Sequence, residues 1–152
     1  MEVIEKILEW LKLAGVEQNG DNKQFELVMN LIDEEKDELI LGFQKDDLEE
    51  QTDAVADLIW VILNWAYMKN LPIIEVLKKV EISNYSKFCK SKEEAIETVY
   101  AYENGAHWDK EGIKIDCYFK QVGNYFVIKR SDNNKILKSI NYTPVKNVIL
   151  WN

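Results

Sequence analysis

The sequence predicts a mainly α fold: an antiparallel bundle of four to five helices with a small β-hairpin or three-strand appendage at its C-terminal end. Three observations point there. Apolar residues recur at three- and four-residue spacings through the N-terminal two thirds of the chain, the period of a helix with one buried face. Capping and stopping residues fall between those stretches, as helix ends require. After Asn104-Gly105 the pattern shortens to partial alternation broken by Gly and Asn, as in hairpins.

The elements follow in order. Val3 to Leu13 places Val3, Ile4, Ile7, Leu8 and Leu11 on one helical face. Gly15 to Asn22 is rich in turn formers and reads as a loop. A second helix runs from about Asn22 to Phe43 with the stripe Val28, Leu31, Ile32, Leu39 and Phe43. Gln44 to Asp47 is a polar connection. A third helix spans Asp47 to Lys69, and its stretch Ala54 to Met68 is apolar nearly all round, the mark of a buried helix. Leu71-Pro72 stops it, and Pro72 suits the first turn of a short fourth helix, Ile73 to Val80. Glu81 to Lys90 is polar and irregular. Ser91 with Glu94 makes a capping box for a fifth helix ending near Glu103. Ile113 to Lys120 and Tyr125 to Lys129 form a hairpin about Gly123-Asn124. Asp132-Asn133-Asn134 is a second turn, and Lys135 to Ile140 is a candidate third strand.

This gives a helical body over residues 1–104 and a β appendage over 105–152 packed on the same domain. A chain of 152 residues suits one core. Met1 to Leu13 mixes Glu and Lys among its apolar residues, so it does not read as a secretory signal. Ala54 to Met68 is too short to span a bilayer. The expected location is the cytoplasm, with no membrane partner.

Composition removes several function classes. The formal net charge of −8 argues against nucleic-acid binding, which needs a basic surface. A phosphorylated small molecule would need a metal ion or a few focused cations to be held here. Cys89 and Cys117 match no metal-ligand spacing and are expected to be reduced thiols. The single histidine, His107, excludes a multi-histidine zinc site.

Acidic residues break the apolar patterns at two places. On the second helix Glu35 and Glu38 lie about 60° apart, on the side of the stripe and not opposite it, with Glu34 one turn before Glu38. On the third helix Asp57 interrupts the apolar run, with Asp53 one turn earlier and Asn64 two turns later. Carboxylates gathered near a core repel one another and lose water. A hard divalent cation removes that objection, since Mg²⁺ takes oxygen ligands and is often held by a few carboxylates with substrate phosphates. The plainer readings are a solvated acidic face on the second helix and an Asp paired with a cation or backbone group on the third.

Glu34-Glu35-Lys36-Asp37-Glu38-Leu39 followed by Asp53-Ala54-Val55-Ala56-Asp57-Leu58-Ile59-Trp60 resembles the EExxEL and acidic motifs of the MazG-like all-α nucleoside triphosphate pyrophosphohydrolases, relatives of the phosphoribosyl-ATP pyrophosphohydrolases. Ser83-Asn84-Tyr85-Ser86-Lys87 resembles the family's segment after its fourth helix. Asp132 to Lys138 with Asn141-Tyr142-Thr143-Pro144 resembles the tail of phage-type members. The resemblance spans Trp10 to Lys87 and then the tail.

The resemblance implies Mg²⁺, with Mn²⁺ as a substitute, held by Glu35, Glu38 and Asp57. Many members carry an acid where this chain has Ala54; Asp53, about 40° from Asp57 around the helix, is the natural replacement. Glu34 is a further ligand or orients the attacking water. The implied reaction is hydrolysis of a nucleoside triphosphate, a dNTP first, to the monophosphate and pyrophosphate. Asn84, Lys87 and Lys138 are candidate contacts to substrate, beside the reading of the first two as a helix-terminal turn. Trp10 and Trp60 are candidate base-stacking residues, or core. The resemblance also implies a homodimer or homotetramer. Two alternatives stand beside it: a hydrolase of phosphoribosyl-ATP or a modified nucleotide, and a catalytically inactive oligomeric module of the same fold.

Overall fold

The computed structural model describes residues 2–145. The element order is α1 (Glu2–Leu13), α2 (Asn22–Gln44), α3 (Leu48–Met68), α4 (Ile73–Tyr85), α5 (Lys92–Glu103), β1 (Cys117–Val122) and β2 (Tyr125–Arg130). The fold is mainly α with a C-terminal hairpin, as expected. Residues 146–152 of the predicted appendage lie outside the described residues. The chain divides between Ile74 and Glu75 into two compact units.

The first unit holds α1, α2 and α3. Asp21 caps α2 through a full capping box with Gln24, and Asp47 caps α3 through Glu49 N–H and Glu50 N–H; such caps satisfy backbone donors that the first helical turn leaves free. Gly42 lets α2 approach the start of α3, because a Cβ there would meet Gln51 N at 3.0 Å. The Gln51 amide bridges the same junction by donating to Gly42 O and Asp47 O. One apolar cluster joins Ile7 and Leu11 of α1 to Leu63 of α3. Another joins Val28 of α2 to Val61 and Met68 of α3.

Two expectations about this unit need correction. Phe43 is 74% exposed and Gly42 is the buried residue there, so the stripe of α2 ends one position earlier than its pattern suggests. The third helix is also not buried all round within one chain. It buries Ala54, Val61, Leu63, Ala66 and Met68, while Val55, Ile59 and Ile62 stay exposed. α1 and α2 cover only one side of α3, and the rest of its apolar surface faces outward.

The second unit packs α5 on the hairpin around Cys89, Ala95, Tyr102, Ile115, Cys117, Ile128 and Leu137. The hairpin pairs Val122 with Tyr125 across Gly123-Asn124, and Gly123 takes φ 56°, where a side chain would be strained. Strand β1 begins at Cys117 and not at Ile113, because Ile115 N–H bonds Tyr102 O and ties the preceding segment to α5. α4 runs to Tyr85, five residues past the expected Val80. Buried Ser83 donates to Thr143 O at 2.8 Å, which gives this polar turn a partner. The third strand is reduced to one bridge, Lys129 with Ile136. Beyond it Lys138 N–H turns to the Tyr102 hydroxyl and Ser139 N–H to Lys87 O, so the ladder cannot continue.

His107 belongs to this core. It is 1% exposed and lies flat on Tyr102, ring centroids 3.8 Å apart. Its Nδ1 accepts from Asp109 N–H. Burial holds its pKa below the ordinary 6.5, with the Asp109 charge opposing in part. The folded state therefore binds this proton less tightly than the unfolded chain. Stability is full above the unfolded value and falls as the pH drops from about 6.5. Thermal melts from pH 7.5 to 5.5 should show a declining midpoint that His107→Asn flattens, and parallel curves for the two proteins would contradict this.

Candidate functional site

The candidate metal residues all lie on α2 and α3 of the first unit. Glu35 is half-buried, and its Oε2 is shut from solvent without a hydrogen-bond partner. Its pKa is raised, first by burial and then by the charges of Glu38, Asp57, Asp53 and Glu34, in that order. The two helices thus turn five carboxylates towards one region. Glu34, Glu38, Asp53 and Asp57 are themselves exposed, so Asp57 is not enclosed by a single chain as its apolar neighbours suggested. Asp53 lines a hollow of about 600 Å³ with Asp47, Glu49, Glu50, Thr52 and Ala56. Ala54 is buried at 1% exposure.

The donors suit a hard cation, because every candidate ligand atom is a carboxylate oxygen. Among the described residues, no three His, Cys, Asp or Glu side chains already stand as one metal-holding group. A cation would have to draw Glu38 and Asp57 towards the half-buried Glu35 by rotamer changes, which their exposed side chains make readily. The plainer pairing of Asp57 with a Lys or Arg finds no support, as no ion pair to it is present among the described residues. Asn64, read from sequence as part of the polar seam, is half-buried with its Oδ1 unpartnered.

The other predicted contacts have partners of their own. Lys87 Nζ donates to Asn84 Oδ1 at 2.7 Å at the end of α4. Lys138 pairs with Asp109 and sits over the rings of Trp108 and Tyr142. Trp10 and Trp60 meet edge to face, centroids 5.3 Å apart, and both are partly exposed, at 53% and 36%. They form neither a closed core nor an open stacking face.

Thiol chemistry has no place in the described structure. Cys89 and Cys117 are free and buried; burial raises the first and pushes the second up to about 11, far from the depressed values that activate a thiol.

Residues 10–84 match the family model of the phosphoribosyl-ATP pyrophosphohydrolases. That family belongs to the MazG-like all-α pyrophosphohydrolase superfamily. The matched segment includes both acidic motifs and Asn84, while Lys87, Lys138 and the hairpin lie beyond it. No curated protein and no solved structure matches the chain. No helix among the described residues is long and apolar enough to cross a membrane.

Proposed function

We propose that this pyrophosphohydrolase acts on nucleoside triphosphates, dNTPs first, with Mg²⁺ held by Glu35, Glu38 and Asp57 and with Asp53 as a fourth ligand. The observation that carries the reading is Glu35: a carboxyl oxygen enclosed without a partner, amid four more acids on two helices. Leaving such an oxygen unpaired costs roughly 1–3 kcal/mol or more, a cost that a ligated cation removes. When bound, the metal would offset the charge of the polyphosphate and activate water for attack on the α-phosphorus. The water adds to that phosphorus, the bond to the α,β-bridging oxygen breaks, and the monophosphate and pyrophosphate leave. Glu34, exposed on α2, is read as orienting the water and taking its proton.

Incubating the full chain with a nucleotide panel and Mg²⁺ should release pyrophosphate from at least one triphosphate. Release only from phosphoribosyl-ATP or a modified nucleotide would move the assignment to that substrate. No release from any, with folded protein, would overturn it.

One observation favours a second reading. The position at which many family members carry an acid is here Ala54, buried, while Asp53 is exposed. A set short of one ligand suits a non-catalytic module of the same fold. Calorimetric titration separates the two, because such a module should take up neither Mg²⁺ nor Mn²⁺. In either case, the outward apolar face of α3 is read as the contact for a second copy of the chain.

A further inference from the structure

The second unit contains a basic cleft. Its volume is about 330 Å³, and Lys87, Lys110, Arg130, Lys135 and Lys138 line it against one acid, Asp109. Five cations about one small cleft stand out in a chain of net charge −8.

Backbone geometry gathers them. Arg130 ends β2, and Asn134 at φ 58° reverses the chain. Arg130 N–H then bonds Lys135 O, which returns Lys135 to its side. Lys138 N–H is anchored on the Tyr102 hydroxyl, and Lys87 O accepts from Ser139 N–H.

Some of this charge is already matched. Asp109 pairs with Lys138, and Asp132 with Arg130 Nη2. Lys87 bonds only the neutral Asn84 side chain. Lys110 and Lys135 make no ion pair among the described residues. Arg130 Nε is enclosed without an acceptor. The cleft therefore holds surplus positive charge and an unused donor, the complement of an oxygen-rich anion.

We propose that this cleft binds inorganic diphosphate. Its volume sits at the low end of the roughly 300–1,000 Å³ of small-molecule pockets. Its remaining lining residues are Ile115, Ile136 and Leu137, with no aromatic wall for a base to stack on. Both features favour a compact phosphate over a whole nucleotide. Diphosphate spans several cations at once, where orthophosphate meets fewer. The choice of diphosphate rests on the proposed reaction, which releases it; the cleft's affinity for phosphate oxygens does not.

The test is calorimetry on the full chain in EDTA, with inorganic diphosphate, orthophosphate and a nucleoside triphosphate as titrants. Without metal, the acidic set of the first unit repels all three, so the basic cleft is read alone. Diphosphate should bind at one site, more tightly than orthophosphate, and more weakly as salt rises. Lys110→Ala and Lys135→Ala change exposed side chains and should each weaken it about tenfold. Glu38→Gln should leave it unchanged. Absent diphosphate binding, equal binding by the Lys110→Ala/Lys135→Ala double variant, or binding of the triphosphate alone would overturn the proposal. If diphosphate binds in this way but no nucleotide is hydrolysed, the carboxylate reading fails and the anion site stands.

Discussion

Glu38→Gln is expected to lower pyrophosphate release at saturating Mg²⁺ by at least about a hundredfold, with the fold intact. Even groups that only orient a metal ligand are worth 10- to 100-fold when removed, so a direct ligand should exceed that range. Glu38 is exposed on α2, so the helix should survive the change. Asp57→Asn should behave alike from the opposite helix. Glu35→Gln separates a site from a structural role more sharply. The Glu35 pKa is raised by burial and by its acidic neighbours, so the folded protein binds this proton more tightly than the unfolded chain. Its charged form therefore opposes folding at neutral pH, and the penalty fades as the pH falls through the raised value. Without metal, Glu35→Gln should melt at or above the wild-type temperature at pH 7.5, and the gap should close in acid. With Mg²⁺ the order should reverse, because ligand binding stabilises only the protein that can bind. A variant that melts lower at every pH, with or without Mg²⁺, would mark Glu35 as structural.

The helical part of the fold was legible because each element carries its own punctuation. Ser91 caps α5 and Pro72 precedes α4, as their residue types predict. The turn-forming loop and the polar connection supply Asp21 and Asp47 as the caps of α2 and α3. The errors fall where a distant partner overrides the local pattern. Ser83 sustains a polar last turn through Thr143, sixty residues away, and Tyr102 ends the third strand by capturing Lys138 N–H. Such pairings leave no trace in spacing. The acids of the candidate site stood out because carboxylates interrupt apolar stripes. The basic cleft did not, because its cations come from separate turns, and only the reversal at Asn134 and the tether to Tyr102 bring them together.

Ile59→Glu combined with Ile62→Glu is expected to turn an oligomer into a monomer, as read by light scattering. Val55, Ile59 and Ile62 recur at four and three residues along one side of α3 and are 44%, 51% and 51% exposed in the single chain. That stripe is too regular to be scattered surface residues, and contiguous exposed apolar faces mark contact sites. Burying each Ile would contribute roughly 1.5–3 kcal/mol, and two from each copy shift a dissociation constant by several decades. Glutamate at both positions would place like charges in the contact, a further penalty. A wild-type chain that stays monomeric at every concentration would sink the idea. The effect should spare the carboxylates, because Asp57, two residues from both Val55 and Ile59, lies about 160° from each around the helix. The double variant should therefore dissociate while its Mg²⁺ binding stays unchanged.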